Sequence, residues 1–116
     1  MHNIKELKIW NKAIDLAVKV YQITANFPAD ERFGLISQSR RCAVSVPSNI
    51  SEGAGRNTKG EFKQFLGIAN GSSYELQTQM VIAEKLGFLE EAGFIEVIDS
   101  IDELQKMNYK LQNALQ

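Results

Sequence analysis

From Leu7 onward, apolar residues return at alternating steps of three and four: Leu7, Trp10, Ile14, Ala17 and Tyr21. That spacing is the signature of a helix packed along a bundle seam. A second stripe, Ile9, Ala13, Leu16, Val20 and Ile23, lies about 110° further round at 100° per residue. The two together make an apolar arc roughly 200° wide, against the roughly 100–140° that a helix with one buried face needs. Two readings account for the excess. The helix is wedged between two neighbours of the same monomer, or one face is covered by another subunit. The second is expected, with Ile9, Ala13, Leu16 and Val20 as the candidate oligomer interface.

Similar periodicity continues along the chain, and no alternating strand pattern of useful length interrupts it. The first helix spans about residues 5–26 and ends at Phe27-Pro28, because the residue before a proline is pushed out of the helical region. Helix two starts near Asp30 or Glu31, whose carboxylates suit a helix N-terminus, and turns Leu35, Cys42, Val46 and Ile50 inward. Pro47 cannot donate to the carbonyl of Ala43, so a kink is expected there, or a break into two shorter helices. Gly53, Gly55, Asn57 and Gly60 mark a turn, and Thr58 with Glu61 forms a capping box. Helix three follows with Phe62, Phe65, Ala69, Ser73, Leu76, Met80 and Ala83 inward. Gly67 and Gly71 in its middle call for close approach of a neighbouring backbone, since each glycine costs about 1 kcal/mol of helix propensity. Gly87 stops this helix. Helix four covers about residues 91–115, with Phe94, Val97, Ile101, Leu104, Leu111 and Leu115 on its seam. Short connections make consecutive helices antiparallel, which predicts an all-α, up-down four-helix bundle with helix two kinked near Pro47.

At 116 residues the chain is expected to form one domain over residues 1–116, large enough to sustain a core without staples. The start alternates charged and apolar residues without the apolar stretch of a signal peptide. No run of about 18 apolar residues suggests a membrane span. A cytoplasmic protein is expected.

The residues that chemistry would need are scarce. With one histidine, His2, and one cysteine, Cys42, neither a zinc site nor an inward Glu-x-x-His di-iron site can be assembled. Nucleophilic catalysis would also rest on His2. Glu52 and Glu75 are the inward-leaning carboxylates, with Glu52 expected to pair with Arg41 or Arg56. Cys42 reads as a small buried apolar residue. No catalytic residue, metal or cofactor is expected.

Net charge is −1, yet the charges are uneven. Arg32, Arg40, Arg41, Arg56, Lys59 and Lys63 face only Glu52 and Glu61 over residues 32–63. Residues 84–104 carry seven acidic side chains against Lys85. A glycine turn leading to a helix N-terminus, flanked by Arg56, Lys59 and Lys63, suits an anion such as a nucleic-acid phosphate, although a solvated, capped turn explains the same residues. Arg40, Arg41, Arg56, Lys59 and Lys63 are therefore the candidate nucleic-acid contacts. The acidic stretch suits a partner polypeptide instead. Trp10 and Tyr21 sit on the apolar stripes and read as packing residues.

Three stretches carry a family likeness: Ala25 to Leu35, Gln38 to Gly53 (with Arg40-Arg41, Pro47-Ser48-Asn49-Ile50 and Glu52-Gly53) and Phe62 to Leu76. Over about residues 7–89 the chain resembles the 23S ribosomal-RNA intervening-sequence protein family, also called the four-helix-bundle protein family. A related group comprises accessory proteins of diversity-generating retroelements, which form ring-like homopentamers and bind nucleic acid and reverse transcriptase. The resemblance implies a non-enzymatic homo-oligomer, a pentamer, with RNA or DNA as a partner. A scaffold that docks a protein partner is the alternative.

Overall fold

The helix boundaries follow local chemistry at most of the chain's turning points. The structure is a computed structural model and describes residues 3–115; His2 lies outside them. Four helices make up the fold: α1 (Lys8–Thr24), α2 (Ser37–Ala54), α3 (Lys59–Lys85) and α4 (Glu91–Ala114), with no strand among the described residues. Ahead of α1 runs a 3₁₀ turn, Ile4–Glu6, started by Asn3, whose Oδ1 accepts from the Lys5 amide at 3.2 Å.

Helix two starts later than expected. After Pro28 the chain makes a 3₁₀ turn, Ala29–Glu31, and a wide π-type turn, Arg32–Ile36, before regular α-helix begins at Ser37. Gly34 takes non-helical dihedrals (φ −108°, ψ −115°), and the Glu31 carboxylate accepts from the Leu35 amide at 3.1 Å. These two features hold the segment out of the α register. Beyond it α2 runs as one element through the buried Pro47, so the expected alternative of two shorter helices is not realised.

The next two turns use the devices visible in the sequence. Thr58 Oγ1 accepts from the Glu61 amide at 3.1 Å, while its own hydroxyl donates to the Glu61 carboxylate at 3.0 Å. The carboxylate thus closes the box through the hydroxyl instead of the threonine amide. At the far end of α3, Gly87 has φ 78°, the Phe88 amide donates to the Ala83 carbonyl at 2.9 Å and the Gly87 amide to the Glu84 carbonyl at 3.0 Å. This is the Schellman arrangement that a left-handed glycine permits.

Each helix packs against its neighbours in the chain, and α4 closes the square against α1. Directions follow from the cross-links. Cys42 meets Glu75 and Ser45 meets Ser72, so α2 and α3 are antiparallel. Lys12 pairs with Glu103 and Lys19 with Glu96, so α1 and α4 are antiparallel as well. The result is the up-down four-helix bundle. Its core is built from Leu16 and Val20 of α1, Val46 and Ile50 of α2, Phe62, Leu66 and Leu76 of α3, and Val97 and Ile101 of α4, all at most 2% exposed.

Two expectations need correction. Ile9, Ala13, Leu16 and Val20 are 4%, 0%, 1% and 0% exposed within the single chain. They form its core and have no surface left for another subunit. The outward apolar flank of α1 is the other stripe, with Trp10 and Ala17 half-buried and Ile14 and Tyr21 exposed, and the exposed Val18 lies beside it. The α3 glycines also differ from expectation. Ala69 and Ser73 face the core, but a Cβ at Gly67 or Gly71 would meet nothing within 4 Å. The close approach occurs instead at Gly53, where a Cβ would fall 2.6 Å from Phe65 Cβ and 3.2 Å from the Phe62 carbonyl oxygen.

Candidate nucleic-acid interface

The up-down topology sends the candidate basic residues to opposite ends of the bundle. Arg40 and Arg41 begin α2, whereas Arg56, Lys59 and Lys63 surround its end and the start of α3. Thirteen helical steps, about 20 Å at 1.5 Å each, separate Arg41 from Ala54. One compact site does not contain all five.

Arg40 is engaged within the fold. Its Nε donates to Thr24 Oγ1 at 2.9 Å, a terminal guanidinium nitrogen donates to the Tyr21 carbonyl at 3.2 Å, and the guanidinium lies 4.6 Å from the Tyr21 ring centroid. A cation there suits the exposed carbonyls at the end of α1. Arg41, one step round the helix, is exposed. Beside it the Cys42 thiol is buried, donates to Glu75 Oε2 at 3.1 Å and accepts from Gln79 Nε2 at 3.5 Å. Burial first, then the Glu75 carboxylate, pushes the thiol up from 9.0 to about 11. It is not a thiolate nucleophile near neutrality. Glu52 and Glu75 do not meet: Glu52 accepts from Arg56 at 3.3 Å, and Glu75 serves Cys42. Among the described residues no group of three or more His, Cys, Asp or Glu could hold a metal ion.

At the opposite end the candidates gain company. The bundle brings the first turns of α1 and the last turns of α4 beside the α2–α3 turn. Lys5, Lys8 and Lys110 therefore join Arg56, Lys59 and Lys63: six basic side chains against Glu6, Glu52 and Glu61. Among the six, only Arg56 is ion-paired within the described residues; its guanidinium also lies 4.8 Å from the Phe65 ring centroid. The α3 N-terminus itself is already capped by Thr58, and the Glu61 carboxylate sits over it. A phosphate at this end would therefore be met by side chains, not by the orphan amides that a glycine turn suggests. The three added lysines were not singled out from the sequence because they sit near its two extremities. The up-down topology is the signal that places them together.

The opposite end is mixed in charge, with Asp30, Glu31, Glu84, Glu90 and Glu91 near the connections there beside Arg32, Arg40, Arg41 and Lys85. Part of the α4 acidity is satisfied within the chain by the Lys12–Glu103 and Lys19–Glu96 pairs. No described helix is long and apolar enough to cross a membrane.

Comparison with known proteins agrees with the fold. No curated protein matches the sequence. A crystal structure of a protein of unknown function from the S23 ribosomal protein family of Bacteroides thetaiotaomicron VPI-5482 superposes with a TM-score of 0.81. It is 18% identical, and the match covers 90% of this chain and 97% of that one. The model of the family described as 23S rRNA-intervening sequence protein matches residues 5–110. With nearly its whole length matched, this chain belongs to the 23S rRNA-intervening sequence protein family.

Proposed function

We propose that the protein is a non-enzymatic, homo-oligomeric nucleic-acid-binding accessory protein of the cytoplasm, which grips phosphates with its basic end. The observation that carries this reading is the convergence of Lys5, Lys8, Arg56, Lys59, Lys63 and Lys110 from three separate parts of the sequence onto one end of the bundle. Arg41 supplies an outlying contact, and Arg40 contributes to the fold. A chain of net charge −1 gains little attraction from its total charge. Local concentration of cations, repeated in each copy of an oligomer such as the pentamer implied by the family resemblance, supplies it instead.

Phosphate contacts of this kind carry no sequence information and release counterions, so binding must weaken as salt rises. The test is titration of the full chain with structured RNA at about 50 mM and about 200 mM salt. Affinity that drops at the higher salt, and drops further in a Lys59→Glu, Lys63→Glu, Lys110→Glu variant, supports the reading. Absence of binding at the lower salt, or affinity indifferent to salt, overturns it. Charge reversal at the exposed Glu90, Glu91 and Asp99 is expected to leave RNA binding intact. Loss of a captured protein partner in that variant, without any RNA binding by the wild type, would favour a protein-docking scaffold.

A further inference from the structure

Leading away from the basic end, an open groove between α3 and α4 joins aromatic rings to cations. Tyr74 of α3 and Asp102, Gln105, Lys106, Tyr109 and Lys110 of α4 line about 410 Å³ there. That lies within the roughly 300–1,000 Å³ of sites that take small organic groups. Tyr74 and Tyr109 are 54% and 69% exposed. A single exposed aromatic side chain is ordinary on a protein surface; two that share a groove with two lysines form a recognition surface. Among the described residues, neither phenol hydroxyl makes a hydrogen bond and neither lysine makes an ion pair.

The walls of the groove are preformed. Gln105 Nε2 donates to Ser73 Oγ at 3.3 Å and to Gln77 Oε1 at 3.1 Å, and Asn108 Nδ2 donates to the Leu66 carbonyl at 2.9 Å. Tyr74 and Tyr109 each directly follow a residue in these ties, so α3 and α4 hold the two rings on fixed backbones. Lys106 and Lys110 stand one helical turn apart, about 6 Å along the axis, and Lys110 also belongs to the basic end. The one carboxylate, Asp102, lies a further turn from that end. The groove thus continues the basic end along the flank of the bundle.

We propose that this groove takes unpaired nucleotides of a strand whose other phosphates are held at the basic end. Bases stack on Tyr74 and Tyr109, and phosphates meet Lys106 and Lys110. This rests on the nucleic-acid part of the proposed function and specifies the form of the ligand. Every base has a π-face, so aromatic side chains hold single strands with little regard to sequence while lysines follow the backbone. Paired bases lie stacked inside an A-form helix and offer no face to these rings, so loops, bulges and ends are the segments bound. Charge selects the same occupant. Two lysines against Asp102 add to the cationic surplus of the end from which the groove leads, which suits a polyanion carrying flat rings.

The test compares two single-stranded RNAs of about 12 nucleotides, alike except that the central nucleotides of one carry no base. Fluorescence anisotropy at about 50 mM salt measures the affinity of the full chain for each. The wild type is expected to bind the strand with all its bases about fivefold or more tighter, the ratio that one stacked base supplies. The double variant Tyr74→Ala, Tyr109→Ala is expected to lose that preference while its affinity for the baseless strand stays unchanged. Tyr109→Phe keeps the ring face and is expected to keep the preference, whereas Lys106→Gln is expected to weaken both strands alike. Far-UV circular dichroism checks that the variants stay helical, and the comparison of the two strands on the wild type needs no variant. Binding of neither strand overturns the nucleic-acid reading together with this groove. Equal binding of both by the wild type overturns the stacking alone and leaves the phosphate contacts in place. A preference that survives the double variant, or is lost in Tyr109→Phe, overturns the assignment to these rings. A double variant with lower native mass than the wild type makes the groove a contact between copies and overturns it as well.

Discussion

Arg40 Nε donates to Thr24 Oγ1 at 2.9 Å, and the same threonine hydroxyl donates to the Val20 carbonyl at 2.7 Å. One fully buried hydroxyl thereby ties the first turn of α2 to the last turn of α1 across the irregular Ala25–Ile36 connection. The tie explains why one of two adjacent arginines is structural while its neighbour remains in solvent.

Arg40→Ala is therefore expected to lower stability by about 1.5–3 kcal/mol, the range for a hydrogen bond to a charged group. Arg40→Lys should recover little, because it cannot reproduce both donors and the stacked guanidinium. Arg41→Ala should stay within about 0.5 kcal/mol of wild type, as for most surface changes. Urea unfolding of the three variants measures this. Weaker RNA binding by Arg40→Ala at unchanged stability would show that Arg40 contacts the ligand instead.

Among the glycines, Gly53 is the one where a Cβ would fall closest to its neighbours. A Cβ there would lie 2.6 Å from Phe65 Cβ and 3.1 Å from Phe62 Cδ1. Gly53→Ala is expected to destabilise by about 1–3 kcal/mol through overpacking. Gly87→Ala, with free space but φ 78°, is expected to cost about 1–2 kcal/mol from the left-handed backbone alone. Thermal melts of both, beside a neutral Gly55→Ala control, give the order.

Whether a glycine is required could not be read from the sequence, because the same residue serves a tight crossing at Gly53 and an outward ridge at Gly67 and Gly71. Short-range devices were legible: the Thr58 cap and the Gly87 stop each involve residues within five positions of one another. The start of helix two was not, since Gly34 and the Glu31 carboxylate displace it from within an otherwise helical pattern. The stripes of α1 have equal spacing, so periodicity cannot say which one faces inward; contact with α2 and α4 decides that. The basic end was half visible. Arg56, Lys59 and Lys63 are close in sequence, but Lys5 and Lys110 meet them only once α1 and α4 have paired.

Cys42 gives a pH dependence of defined sign. Its thiol is pushed up from 9.0 to about 11 by burial and by the Glu75 carboxylate. The folded state therefore holds the proton more tightly than the unfolded chain. The resulting stability is fully present below pH 9.0 and is lost as the pH rises towards 11. Cys42→Ala should remove this contribution, so the difference between wild type and variant should shrink over that interval. Unfolding midpoints on either side of it check the sign, and a wild type that gains relative to the variant as pH rises contradicts it. Thiol reagents near neutrality should label native protein far more slowly than unfolded protein.

The inward stripe of α1 makes a sharper claim about what its residues do. Leu16 is 1% exposed in the core, while Ile14, two positions away, is 37% exposed on the flank. Leu16→Ala should lower the stability of the chain itself by about 2–5 kcal/mol, the transfer and cavity terms of a buried leucine together. It should do so without a selective loss of association among the molecules that remain folded. Ile14→Ala removes atoms already half in water, so its effect on folding should stay below about 1 kcal/mol. Its effect on native mass should be the larger one. Chemical unfolding and light scattering on the same two variants separate the roles. A Leu16→Ala protein that stays as stable as wild type but dissociates would return the interface to the stripe of Ile9, Ala13, Leu16 and Val20.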